Sequence, residues 1–274
     1  MKLLFEEAAK ECLNPTEARV QKLKVWVEQA KSARHTGNLE PDQNRYDKAE
    51  ELITFYTFAP LVLSLNRVGL ANRILALAGI SPFEENVVGV GLERQYQPPP
   101  GYLQWFKNEV KKHPIKYIRE QSVKHIKMNK PLESYTYVNA VIETDKLLIF
   151  FEVKYTSDIA HSTTFNPYRN RLARLIDVGL NEAKFSGKEV LVLLSSPSLL
   201  FERRSRLYFY KVHEYSDPSL IQKDIGWRSV KEIEENLLAV RWVALEELIK
   251  LLYTDFNHPD KEDALKFFEE RKLI

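Results

Sequence analysis

Cysteine occurs once in this 274-residue chain, at Cys12. An internal disulfide is therefore excluded, and the chain suits a reducing cytosol. Glycine is sparse too, with nine residues, and neither a glycine-rich phosphate loop nor a nucleophile elbow is present. A nucleotide-binding Rossmann domain has little support on that count. No sign of charge dominates: the net charge is +2. No whole-molecule field marks a polyanion partner, so a nucleic-acid surface would have to be a local patch. The histidines are scattered, without the spacing of a zinc site. No apolar run is long enough to span a bilayer. The longest candidate, 59–80, is interrupted by Asn66, Arg67, Asn72 and Arg73. The N-terminus meets Glu6 and Glu7 too early for a secretory signal. The expectation is a cytoplasmic protein with no membrane partner.

What is present is an ordinary globular composition, 44% hydrophobic and 28% charged. Residues 3 to 35 read as helix, with Leu3, Leu4 and Ala8 on one stripe and Val20, Leu23, Val27 and Ala30 on a second. A loop follows over 34–41. Helix resumes over 46–78, with a split expected at Pro60 or Gly69. Ser81-Pro82 and Gln97-Pro98-Pro99-Pro100-Gly101 punctuate the chain, with a short strand, 87–92, between them. The organisation expected is an all-helical N-terminal region, 1–97, and an α/β domain, 98–274.

The second part reads as a succession of helices and strands. Helices are expected over 102–112 and 115–126. A hairpin follows, with strands 135–144 and 147–155 about the turn Thr144-Asp145-Lys146. A helix from Pro167, capped by Asn166, runs to Lys184 and leads to the apolar strand 190–194. Further strands are expected over 206–213 and 238–243, and helices over 245–253 and 261–273. A helical crossover between strands 147–155 and 190–194 predicts a parallel pair. The fold class is α/β, a mixed central β-sheet flanked by helices.

One stretch stands out. Phe150-Phe151-Glu152-Val153-Lys154-Tyr155 ends an almost wholly apolar strand with an acid and a lysine two residues apart. That spacing puts Glu152 and Lys154 on one face. A buried carboxylate and ammonium cost free energy unless paired or bound to metal. Upstream, Lys107, Lys111, Lys112, Lys116, Lys124, Lys127 and Lys130 are interleaved with Trp105, Phe106 and Tyr117. Basic and aromatic residues together suit phosphate contact and base stacking. Arg169, Asn170, Arg171 and Arg174 load the start of the following helix, and Asn170 and Arg174 share one face.

A hairpin carrying Glu-x-Lys, then a helix and an apolar strand, resembles the PD-(D/E)xK nuclease superfamily over roughly 100–255. The resemblance implies a restriction-endonuclease-like fold and a Mg2+-dependent nuclease, with Mn2+ as a substitute. The partner implied is nucleic acid, DNA foremost, and a homodimer would suit duplex cleavage. Glu152 would be a metal ligand and Lys154 the catalytic lysine. Glu109 or Glu120 would supply the upstream helix acid. The first-strand acid is missing: Asn139 stands in its place. Glu143, four residues on and on the same face, is the alternative ligand; Asp145 lies too far into the turn. Asp158 and His161, in the next loop, are lesser candidates near the metal. Arg169, Asn170, Arg174 and Lys116 would contact nucleic acid, with support of the site from the adjacent helix as the alternative for Asn170 and Arg174. The alternative is a catalytically degenerate nuclease-like domain that binds nucleic acid or protein.

Overall fold

The computed structural model describes residues 1–12, 21, 23–25, 27, 50–82 and 86–274. Its elements in chain order are α1 (Lys2–Cys12), α2 (Glu50–Leu63), α3 (Arg67–Leu77), β1 (Val87–Tyr96), α4 (Pro100–Glu109), α5 (Lys116–Lys127), β2 (Thr136–Thr144), β3 (Leu147–Val153), α6 (Arg171–Ser186), β4 (Glu189–Ser196), α7 (Ser198–Glu202), α8 (Leu207–Glu214), α9 (Pro218–Ile225), α10 (Val230–Asn236), β5 (Leu237–Ala244), α11 (Leu245–Tyr253) and α12 (Lys261–Glu269). The loop expected over 34–41, Val20 and Ala30 lie outside the described residues; Leu23 and Val27 are buried. No helix among the described residues is long and apolar enough to cross a membrane.

The sheet is mixed and runs β1-β2-β3-β4-β5. The first two pairings are antiparallel, and β3/β4 and β4/β5 are parallel. β3 is third of five and every residue in it is buried. That is why it reads as a continuous apolar run. Its side chains alternate between two cores. Leu147, Ile149, Phe151 and Val153 meet α1, α2, α3, α11 and α12. Leu148 and Phe150 meet α6, α8, α9 and α10. The N-terminal helices therefore pack in the same apolar cluster as the sheet and the C-terminal helices, and this cluster runs across residue 97.

Several expectations shift. The strand expected over 87–92 runs the whole of Val87–Tyr96 and forms one edge of the sheet. The strand expected over 206–213 is the helix α8; its buried residues Tyr208 and Val212 are four apart, a helical spacing that its aromatic content obscures. Pro60 does not split α2, and the break falls at 64–66 instead. Pro60 cannot donate to the Tyr56 carbonyl; the Tyr253 hydroxyl donates to it instead, at 2.7 Å. The crossover helix starts at Arg171 rather than Pro167, and its N-cap is Asn170, whose side chain accepts from the Ala173 amide.

Candidate functional site

The site forms where β3 ends. Backbone pairing of β2 with β3 reaches Ala140 opposite Phe151. The next pair in that register is Asn139 and Glu152. Here the ladder is continued by a side chain: the Val153 amide donates to Asn139 Oδ1 at 3.0 Å. The Asn139 amide nitrogen donates to Glu93 Oε1, also at 3.0 Å. These two partners fix the amide's orientation, with nitrogen toward the carboxylate. Glu93 interrupts β1 between Leu92 and Arg94 with a φ of 51°. A glutamate in the left-handed region costs about 1 kcal/mol or more. The conformation delivers a buried carboxylate to Asn139.

Beyond Asn139, two helices from opposite faces bring charge to the strand end. Glu50, the first residue of α2, accepts from Lys154 Nζ at 3.1 Å, from the Tyr155 amide at 3.0 Å and from the Ser157 hydroxyl at 2.6 Å. Arg171, the first residue of α6, donates to Glu152 Oε2 through Nε at 2.9 Å and Nη2 at 2.8 Å. It also donates to the Tyr137 carbonyl. Lys154 Nζ lies 3.3 Å from Glu152 Oε1. One ammonium is thus shared by carboxylates of two elements.

Burial pushes the Glu152 carboxyl up, but Arg171 and Lys154 outweigh it and hold the group below its usual range. Burial likewise pulls the Lys154 ammonium down, and Glu152 and Glu50 reverse that, leaving it raised. The two groups are therefore both charged at neutral pH. The depressed carboxyl contributes stability above its ordinary value of 4.5, and that contribution falls away as acid protonates it. The raised ammonium contributes below its ordinary value of 10.5 and loses its part as alkali removes the proton. The ion pairs should persist across the interval between, which urea midpoints measured against pH would check.

The other sequence candidates sit elsewhere. Glu143 is on the face expected but pairs opposite Leu148, about 13 Å along the strand from Asn139. Its carboxylate is taken by Lys188 at 2.7 Å. Glu143 therefore stands apart from the Glu152–Lys154 pair. Glu109 and Glu120 pair with Lys112 and Lys116 on α4 and α5, and neither bonds to a site residue. Asp145 accepts from the Asn86 side chain. Asp158 accepts from the amides of Leu207 and Tyr208 at the start of α8. His161 is exposed in the loop after β3.

Three of the four residues assigned to phosphate contact, Arg169, Asn170 and Arg174, are bonded within the fold. Arg169 is fully buried, held by Glu133 at 2.8 Å and Asp177 at 2.8 Å with Tyr102 beneath its guanidinium. Asn170 is buried as the cap of α6 and donates to Asp224 at 3.0 Å. Arg174 donates to the carbonyls of Ser134 and Tyr135. All three brace the start of α6. Only Lys116 projects into solvent, and it faces Glu120 at 3.8 Å. Asn170→Ala should cost about 1–2 kcal/mol of stability through the lost cap, read by urea denaturation, with nucleic-acid affinity unchanged.

Glu50, Glu93 and the role of Arg171 are not apparent from the sequence. Glu50 opens α2, two helices ahead of β1, and no local pattern links it to the strand end. The oxygen donors Glu50, Glu152 and Asn139 suit a hard divalent cation in kind. Among the described residues, no group of three or more His, Cys, Asp or Glu is arranged to hold a metal. The donors present are two carboxylates converging on one ammonium, with an amide-bound third carboxylate, Glu93, alongside. Comparison with protein-family models, with curated proteins and with solved structures finds no match.

Proposed function

We propose that the chain is a divalent-cation-dependent nuclease of PD-(D/E)xK type on a restriction-endonuclease-like fold, acting on DNA. The observation that carries this reading is the meeting of Glu50 with the Glu152–Lys154 pair at the end of the central strand. A helix acid, a strand acid and a strand lysine are three of the parts that the resemblance implies; Asn139 stands in place of the fourth, the first-strand acid. Glu50 begins α2, Glu152 lies in β3 and Lys154 directly follows it, and α6 then leads from β3 to the parallel strand β4. Glu152 and Glu50, with Asn139, would hold Mg2+ or Mn2+. Such a cation polarises a phosphate and lowers the pKa of a bound water.

Lys154 has a definite part in this chemistry. Its raised pKa makes it a poor proton acceptor at neutral pH, so it acts as a fixed positive charge. Charge developing on a phosphate beside it is stabilised without reorganisation. Activity should accordingly show no alkaline limb near neutrality from Lys154. A pH–rate profile with a loss between pH 7 and 8 that Lys154→Arg removes would contradict this role. The primary test is conversion of supercoiled plasmid by the purified protein with Mg2+ or Mn2+, against chelator.

A second reading, a degenerate domain that binds without cleaving, is favoured by the bonding of Glu152. Arg171 and Lys154 engage both its oxygens. Asn139→Asp separates the two readings. It sets a second carboxylate against Glu93 in place of the amide donor. Without cation this should cost about 1–3 kcal/mol, seen as a lower melting temperature in chelator. In a metal site, Mn2+ restores the melting temperature and raises cleavage. In a degenerate site, Mn2+ restores neither.

A further inference from the structure

We propose that α4 and α5 form the nucleic-acid docking surface, a basic arm set beside the site; the inference rests on the reading that the chain acts on nucleic acid. Topology gives the first argument. The end of β1 pairs with the start of β2, Tyr96 opposite Thr136, at the same end of the sheet where β3 finishes in Glu152 and Val153. The excursion 97–135, which holds both helices, therefore leaves and re-enters the sheet at the site's end. Its anchor is the small apolar cluster of Tyr102, Phe106, Val110, Leu132 and Phe165. Phe165 belongs to the loop that follows Lys154, and it meets the His125 ring of α5.

Charge gives the second argument. Residues 104–130 carry eight lysines and arginines against two glutamates, an excess of six in a chain whose net charge is +2. The rest of the molecule is therefore net negative by four. Both glutamates are already matched, Glu109 with Lys112 and Glu120 with Lys116. Lys107, Lys111, Lys124, Lys127 and Lys130 are exposed and make no ion pair with the described residues. Lys107 and Lys111 lie one turn apart on α4 and its short continuation, while Lys124 and Lys127 end the exposed face of α5, so the charge lies in stripes rather than scattered. Stripes of unpaired ammonium groups suit a run of phosphates, each contact releasing a counterion.

Aromatic exposure gives the third. Tyr117 on α5 and Tyr168, in the loop between β3 and α6, each have 70% of their surface open to solvent. Exposed tyrosines offer stacking faces to unpaired bases, and Tyr117 follows Lys116 directly in α5. Nucleic acid uses both features at once, phosphates at the lysines and base faces at the tyrosines.

The test is fluorescence anisotropy of a labelled oligonucleotide, single-stranded and duplex, with the full chain at several salt concentrations. The triple variant Lys111→Gln/Lys124→Gln/Lys127→Gln should weaken binding about tenfold or more at low salt and lower the salt slope by about two to three contacts. A charge-matched control, Lys231→Gln/Lys250→Gln/Lys266→Gln, removes exposed lysines of α10, α11 and α12 and should leave the slope unchanged. Equal weakening by both triples overturns the proposal, because net charge alone would then account for binding. Binding to phosphatidylserine vesicles, with none to either oligonucleotide, overturns it too. Tyr117→Ala should weaken the single strand more than the duplex; no effect on either overturns the stacking part. Wild-type binding is also measured in chelator, where cation-dependent cleavage stops; binding retained there with no nicking in Mg2+ or Mn2+ means failure of the catalytic reading, whereas no binding means failure of the docking surface.

Discussion

Lys154→Ala should reduce metal-dependent plasmid nicking by about 10²–10³-fold, the usual loss when one preorganised charge is removed from a developing oxyanion. The side chain is largely buried between Glu50 and Glu152. No other lysine contacts either carboxylate among the described residues, so none takes over its position. Arg171 is committed to Glu152 Oε2 and the Tyr137 carbonyl. The variant also leaves two carboxylates facing one another, so it should bind Mn2+ at least as tightly as the wild type while cleaving far less. That divergence separates a catalytic loss from a collapsed site. Full nicking activity in Lys154→Ala would sink the mechanism.

Asp177→Ala should destabilise the fold by about 3–5 kcal/mol, the range seen when one partner of a buried ionic network is removed. Asp177 is fully buried in the middle of α6. One oxygen meets Arg228 Nε at 2.6 Å, the other meets Arg169 Nη2 at 2.8 Å, and the Trp227 indole donates to both at 3.1 Å. Arg169 also holds Glu133, just ahead of β2. Without Asp177, two buried guanidinium groups share fewer anions, and the chain around 133 and 227 loses its common anchor. Asp177→Asn keeps a hydrogen-bond acceptor and should lose less. Urea denaturation of both variants checks the order; a loss under about 1 kcal/mol for Asp177→Ala would mean that the network is already hydrated.

These two residues mark the boundary of what the sequence makes legible. Glu152 and Lys154 can be read together because two residues on one strand share a face whatever the fold does. The apolar run of β3, the hairpin turn after Thr144 and the amphipathic α11 announce themselves in the same local way. Glu50 cannot be read in that manner, since its contact with Lys154 spans 104 residues of chain. Glu93 is hidden differently: its role depends on a left-handed backbone inside a strand, which no periodicity signals. Glu143 misleads because facing depends on parity while completing the site depends on position along the strand. Arg169, Asn170 and Arg174 mislead through their chemistry. Charged and amide groups read as surface, yet Arg169 and Asn170 are buried and Arg174 is half-buried, each bonded to a distant segment. The aromatic strand expected over 206–213 fails for a related reason, as the alternation masks a four-residue burial period in α8.

The claim on which the rest depends is that the end of β3 holds a divalent cation. Calorimetric titration of Mn2+ into the wild-type protein and into Glu152→Gln tests it most directly, with circular dichroism to verify that both are folded. The account predicts one site in the wild type, weakened at least tenfold by Glu152→Gln and by Glu50→Gln. Mn2+ binding that is absent from the wild type, or unchanged in a folded Glu152→Gln variant, would contradict it.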